Sequence, residues 1–311
     1  MTDGLHTKTE RVIAVVVTYR PALSRFSALL ERLRPQVAEI IIVDNGSDCD
    51  LSPFENDQVA VVRLGENTGL GAAQNHGAGL AIRHDADAIL LMDQDSMPAT
   101  DMVERLVHAW RTLSAADERL AAVGPNYADP NIDHGSPFHR VEGFRTVRPR
   151  CSGDHHHHRQ CLIPVDHLTA SGCLIPIDAW QHNGGMDETL FIDYVDVEWG
   201  LRARANGWKC YGVCDARMEH TLGGRPVRVF GRRIVTHPPF RNYYFFRNGL
   251  RLIRTAGYPC PWKVAESTRL VLRFAFYAVL GRPRSTHLRQ MLRGLRDGWA
   301  GRTGRNETTT P

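Results

Sequence analysis

No stretch of this 311-residue sequence is long and apolar enough to span a bilayer. The best candidate, Leu270–Leu280, has 11 residues and is broken by Arg273. As a helix it would reach about 16 Å, against about 30 Å of hydrocarbon. The opening segment, Met1 to Arg11, is polar and lacks the apolar core of a signal peptide, so a cytoplasmic location is expected. Cysteines in zinc or redox spacing are missing too. The seven present are scattered, Cys210 and Cys214 fit no common motif, and all seven are expected as reduced, mostly buried thiols. There is no internal repeat. A P-loop is absent, and a dinucleotide fingerprint starting at Gly69 and Gly71 fails at Gln74, where its third glycine would fall. The usual dehydrogenase and P-loop ATPase readings lose their support.

The composition that remains is globular: 42% hydrophobic and 23% charged residues are enough to build a core and exclude a disordered tail. The charge is unevenly spread. Residues 1–224 carry 20 Lys+Arg against 31 Asp+Glu, a balance of −11, whereas residues 225–311 carry 18 against 3, a balance of +15. Two parts with different partners are expected, an acidic one able to hold a divalent cation and a basic one able to meet phosphates.

Short β-branched runs alternate with helical patterns from the start. Val12–Val17, Ile40–Val43, Val59–Leu64, Ala88–Met92 and Leu120–Gly124 read as strands, with helices over Pro21–Arg34, Gly71–Arg83 and Met102–Leu113. That alternation implies parallel strands covered by helices. Tyr127–Arg159, rich in Asp, Pro, Gly and His, reads as a long surface excursion, and its His155–His158 run as a loop rather than a metal site. Regularity returns with Cys173–Ile177, a helical Val195–Asn206 and the strand-like Trp208–Val213; beyond Gly224 the chain reads as basic and helix-prone without further alternation.

In a doubly wound sheet, ligands sit beyond the carboxyl ends of the strands. Four such ends here carry polar clusters: Thr18-Tyr19-Arg20-Pro21, Asp44-Asn45-Gly46-Ser47, Glu66-Asn67-Thr68-Gly69-Leu70-Gly71 leading to Gln74-Asn75, and Asp93-Gln94-Asp95-Ser96. Asp44 could accept the imide N–H of uracil or thymine, or could simply close an Asx turn. Gly69 and Gly71 would let the backbone approach a nucleotide. Asp93 and Asp95 would repel a diphosphate unless a cation lay between, and Mg2+ or Mn2+ suits such oxygen ligands. Asp193, Asp196 and Glu198, with Trp199 beside them, form a second acidic group that could furnish a general base for an acceptor hydroxyl or mark a helix start. His220 could complete the metal shell.

Together these residues resemble glycosyltransferase family 2, the inverting enzymes of GT-A fold, and within it bacterial dTDP-rhamnosyltransferases. The resemblance lies in VVVTYRP, IIIVDNGS, ENTGLGAAQNHG, ILLMDQDSMP, ASGCLIPI, GGMDETLFIDYVDVEWGLRARANGW, YGVCDARMEHTLGG and the later PFRNYYFFRNGLRLIR, over roughly residues 11–275. It implies an α/β fold, a Rossmann-like mixed sheet flanked by helices, in a catalytic domain over 1–224, with a basic helical region over 225–311. It implies that Thr18, Tyr19 and Asp44 hold the base, Asp93 lies near ribose and phosphates, Asp95 and His220 hold Mg2+ or Mn2+, and Asp196 is the catalytic carboxylate. Many relatives carry Glu-Asp where this chain has Val195-Asp196. Arg20, Asn45, Asn67, Gly69, Gln74 and Asn75 are the further candidates for the nucleotide-sugar, and Asp193, Glu198 and Trp199 for acceptor or donor sugar. The implied donor is dTDP-rhamnose and the acceptor a cell-surface saccharide or lipid-linked one. Arg241–Arg254 and Arg269–Arg296 mix arginines with aromatics, which suits peripheral attachment to the anionic inner face of the plasma membrane. Nucleic acid is not an expected partner, because Asp93, Asp95 and Asp196 would repel it. The alternatives are a family 2 transferase using another nucleotide sugar and a metal-dependent nucleotidyltransferase, the latter weakened by a post-strand loop, Thr18–Pro21, that bears only Arg20.

Overall fold

The structure, a computed structural model, describes residues 10–128, 138–151, 161–220, 225–229 and 232–306. Its first half follows the alternation: β1 (Val12–Thr18), α1 (Leu23–Leu33), β2 (Glu39–Asp44), β3 (Val59–Arg63), α2 (Leu70–Arg83), β4 (Ala88–Asp93), a short β5 (Ser96–Pro98), α3 (Met102–Ala115) and β6 (Leu120–Ala128). β7 (Arg140–Glu142), β8 (Arg145–Val147), β9 (Leu162–Val165), β10 (Cys173–Pro176), α4 (Ile177–Asn183), α5 (Val195–Ala205) and β11 (Lys209–His220) follow. The main sheet runs β3-β2-β1-β4-β10-β6-β11-β5, with β9 also on β11. β1 to β4 pair in parallel, and β10 is antiparallel to both of its neighbours, so the sheet is mixed.

Burial on both faces explains the unbroken apolar runs. Ile13, Val15 and Val17 join one core with α2 and α5, while Val12, Ala14 and Val16 join a second with α1 and α3. In α1 the buried residues are Phe26, Leu29, Leu30 and Leu33, one helical stripe. α2 lies so close to the sheet that a Cβ on Gly77 would come within 2.3 Å of Val15 Cγ1. That contact requires glycine.

Three expectations need correction. Cys151 and Cys214 form a disulfide, joining residues 63 apart in sequence, so not all cysteines are free. The pairing depends on β11 bringing Cys214 to the end of the β7–β8 hairpin, a long-range contact that spacing does not reveal. The excursion after Tyr127 is in part structured: Phe138 is 1% exposed and fills the space beside Gly212, where β11 has no side chain. The His155–His158 run lies outside the described residues. Past Gly224, β12 (Arg225–Val229) and β13 (Arg232–Thr236) make an antiparallel hairpin before the helices begin.

The helices are α6 (Pro239–Arg254), α7 (Cys260–Val279) and α8 (Arg284–Trp299), packed around Phe246, Leu270, Tyr277 and Met291. α6 is not a surface helix, contrary to the reading of its arginines and aromatics. Asn242, Tyr243, Tyr244, Phe246, Arg247 and Asn248 are all buried. Arg247 donates to the carbonyls of Leu190 (2.7 Å) and Gly304 (2.5 Å), and Asn248 Nδ2 to those of Leu190, Ile192 and Asp193 at 2.9–3.0 Å. The carbonyls of Leu190, Ile192 and Asp193 belong to a turn in which Phe191, Asp193 and Tyr194 all have left-handed φ of 63–68°. Such conformations cost about 1–3 kcal/mol each and persist only where the surroundings hold them. α6 does the holding.

Candidate active site

The carboxyl ends of β1, β2 and β4 lie side by side, because Thr18 registers with Asp44 and Val17 with Asp93. Thr18 is fully buried and its hydroxyl donates to Asp44 Oδ1 at 3.4 Å; the Ser47 backbone N–H reaches the same oxygen at 3.1 Å. Tyr19 is held at both backbone atoms by Gln94, whose Oε1 accepts from its N–H (2.7 Å) and whose Nε2 donates to its carbonyl (3.1 Å). Arg20 reaches outward, pairing with exposed Asp48 at 3.3 Å.

Asn45 ties the second strand end to the third. Its Oδ1 accepts from the Thr68 N–H at 2.8 Å, and its Nδ2 donates to Asn67 Oδ1 and the Gly69 carbonyl, both at 3.3 Å. Gly69 has φ 96°, and a Cβ there would meet Phe191 at 2.8 Å, so this crossing of two loops admits only glycine. On α2, Gln74 is 2% exposed, and its Oε1 has no partner among the described residues. Asn75 is drawn elsewhere than expected: its amide bonds both the N–H (2.7 Å) and the carbonyl (3.0 Å) of Met186.

Asp93, Asp95 and His220 converge, with one ligand atom from each lying within 4.8 Å of the others. β11 runs further than the sequence suggests and delivers His220 by pairing it with Ser96 in β5. Its Nδ1 lies 2.8 Å from Ser96 Oγ, which is 2.6 Å from Ser171 Oγ, and Ser171 in turn receives the Asp93 N–H at 3.1 Å. That chain fixes the ring and leaves Nε2 turned to Asp93, 3.9 Å away. Although 32% of the Asp93 side chain is exposed, the walls of the cleft push its carboxyl up, first by burial and then by Asp95, against the pull of His220 and Arg241. Two carboxylates with no Lys or Arg ion pair among the described residues, plus one oriented imidazole, fit a hard or borderline divalent cation.

Asp196 stands at the first turn of α5. Burial pushes its carboxyl up to about 6, and Asp93 adds to the rise, while the Val197 and Ala170 N–H groups oppose it. A carboxylate tuned to that range is suited to take a proton. Its sequence neighbours, expected beside acceptor or donor sugar, hold protein partners of their own. Asp193 is ion-paired with Arg241, Glu198 bonds Arg202 (2.8 Å) and Tyr258 (2.8 Å), and Trp199 is buried with Nε1 on the Gly184 carbonyl at 2.9 Å. Gln94 and Ser96 stand in the cluster after β4 without a role legible from sequence, and Ser171 and Arg241 are site residues that sequence reasoning missed. All four lie inside the quoted stretches, but their roles become visible only once β5, β10, β11 and α6 meet.

A family model described as "Glycosyl transferase family 2" matches residues 14–163. The dTDP-rhamnosyl transferase RfbF of Shigella flexneri is 28% identical over 297 residues, 94% of this chain and 97% of that one. This chain is a glycosyltransferase, similar to family 2 over residues 14–163 and to a rhamnosyltransferase over most of its length. The N-acetylglucosaminyl-diphospho-decaprenol L-rhamnosyltransferase of Mycobacterium tuberculosis is 25% identical over 241 residues, 68% of this chain and 76% of the other. Among solved structures, GalNAc-T7 with UDP, GalNAc and Mn2+ has a TM-score of 0.58 at 14% identity, covering 89% of this chain, which spans 58% of that chain's length. S. aureus TarS 1-349 with UDP-GlcNAc gives 0.52 at 12% identity, covering 94% and 92%. At those identities the likeness establishes the GT-A fold of this glycosyltransferase.

Proposed function

We propose that this glycosyltransferase moves L-rhamnose from dTDP-β-L-rhamnose to a hydroxyl of a cell-surface saccharide or lipid-linked acceptor, with inversion at the anomeric carbon. The observation that carries it is the gathering of Asp93, Asp95 and His220 at the strand ends, together with a raised Asp196 carboxyl. The rhamnosyl specificity is supported by the names of the two relatives.

Thr18, Tyr19 and Asp44 take the thymine, with Asp44 accepting the imide N–H. Asn45 and Asn67 shape the loop that brings Gly69 against the nucleoside, Gln74 offers its unpartnered Oε1 there, and Arg20 closes over the outside. Asp93, Asp95 and His220 would hold a Mg2+ or Mn2+ ion, which supplies positive charge for the diphosphate. Asp196 removes the acceptor hydroxyl proton and keeps it. The freed oxygen bonds to the anomeric carbon as the bond from that carbon to the diphosphate oxygen breaks, and the electron pair leaves with dTDP. Ser96 and Ser171 keep His220 in the tautomer that presents Nε2.

α7 supports attachment to an anionic membrane on the cytoplasmic side. Val264, Val271, Leu272 and Val279 repeat at helical spacing on its exposed face, with exposed Arg282 and Arg284 at its end. No helix among the described residues is long and apolar enough to cross a membrane. The deciding experiment is turnover of a panel of nucleotide sugars with and without Mn2+. Consumption of dTDP-rhamnose above all others is expected; turnover of none, or only of a different sugar, refutes the assignment.

A further inference from the structure

Beside the turn that carries Asp193, three guanidinium groups crowd around two aromatic rings. Arg273 lies with its Cζ 3.6 Å from the centroid of Phe245, and Arg241 shares that ring at 5.8 Å. Arg269 stands over Tyr194 at 5.4 Å, and Tyr194 packs edge-on against Phe245 at 5.8 Å. The acids facing the group are Asp193, paired with Arg241, and Glu266, paired with Arg269 at 2.9 Å. Arg273 has no acid of its own among the described residues. Its Nε donates to the neutral Asn242 Oδ1 at 3.0 Å, and its Nη2 is buried without any hydrogen-bond partner among the described residues.

A buried charged donor left unmade is costly, and proteins rarely keep one without a use. Burial indeed pulls the Arg273 guanidinium down from its ordinary value, the direction expected of a cation short of an anion. The edge of the group faces solvent, since Arg269 keeps 51% of its side chain exposed and Arg241 26%, while Arg273 is half-buried behind them with Nη2 covered. It also adjoins the site. Arg241 is near enough to Asp93 to lower its carboxyl, and Asp193 is three residues before Asp196. Among the described residues, two acids against three arginines leave one positive charge, with one buried donor unpaired, near Asp93.

We propose that Arg273, supported by Arg241 and Arg269, forms a phosphate-binding subsite on the Asp93 side of the active site. It rests on the glycosyltransferase reading above and adds to it the class of group recognised there, a phosphate of the acceptor or of the donor's diphosphate. The planar fork of an arginine already stacked on Phe245 is preorganised for phosphate oxygens.

The test uses the full chain and two probes. dTDP with Mn2+ reports on the donor. Farnesyl diphosphate, added to protein saturated with dTDP and Mn2+, stands in for a phosphate-bearing acceptor, with farnesol as the neutral control. Calorimetry on Arg273→Gln should show about a tenfold loss of affinity for one probe and none for farnesol. Loss for farnesyl diphosphate assigns the subsite to the acceptor, and loss for dTDP assigns it to the donor. Arg273→Lys should recover part of the loss. The melting temperature of Arg273→Gln should stay the same or rise, because an orphaned buried donor has been removed; a purely structural arginine would lower it. Unchanged affinity for both probes in a folded variant, or a lowered melting temperature alone, overturns the subsite. If wild-type protein binds neither dTDP nor any nucleotide sugar, the underlying glycosyltransferase reading has failed instead.

Discussion

Asp93 and Asp95, at the strand ends, have no Lys or Arg ion pair among the described residues, whereas Arg247, in α6, spends its guanidinium on the carbonyls of Leu190 and Gly304. Both regions bury charge, and they use it differently. Where the protein saturates a buried charge, as in α6, the result is rigidity: the left-handed turn at Phe191–Tyr194 is fixed, and Asp196 is presented at the start of α5. Where the protein leaves a charge incompletely matched, as at Asp93, Asp95 and Arg273, a ligand is the missing part.

Breaking the acidic side should cost most. Asp196→Asn is expected to reduce transfer by about 10²–10⁴-fold while dTDP still binds, measured by initial rates and calorimetry. With wild-type protein, kcat/KM should fall as pH drops through about 6, because the base must be unprotonated. The folded chain holds this proton more tightly than an ordinary carboxyl of 3.8, so its contribution to stability is complete at low pH and lost as pH rises through about 6. Asp196→Asn should therefore raise the melting temperature above that pH. A variant that is both active and pH-independent would mean that another group is the base.

On the arginine side the currency is stability. Arg247→Ala removes bonds to two carbonyls and a buried side chain stacked on Tyr244, so about 3 kcal/mol should be lost in urea unfolding. Ser96→Ala sharpens the contrast from the metal side. It frees His220 without touching a ligand atom, and should weaken Mn2+ binding about 10–100-fold with little change in stability. Leu272→Glu should have the smallest effect on the fold, within about 0.5 kcal/mol, because that side chain is 65% exposed. It should nevertheless abolish sedimentation with anionic vesicles if the α7 face attaches there.

What the sequence reveals follows the same division. β1, β2 and β4 are legible because burial on both faces demands unbroken β-branched runs, and Asp44, Asp93 and Asp95 stand out by ending them. β5 and β9 are too short to carry a period, and the β12–β13 hairpin is hidden by its arginines. Arg247 and Arg241 are misread for a physical reason: a charged residue at helical spacing looks solvated until the carbonyls or carboxylates it meets are known. Glu198 and Trp199 look functional beside Asp196, yet helical geometry turns them from it toward Arg202 and Gly184. Only tertiary contact separates a saturated charge from a waiting one.

The most direct measurement is rhamnosyl transfer from dTDP-rhamnose after exhaustive chelation, followed by stepwise return of Mn2+ or Mg2+. Activity should fall to background and recover with added cation, and Asp95→Ala should fail to recover at concentrations that restore the wild type. Full turnover in metal-free buffer, or full recovery by Asp95→Ala, would contradict the account.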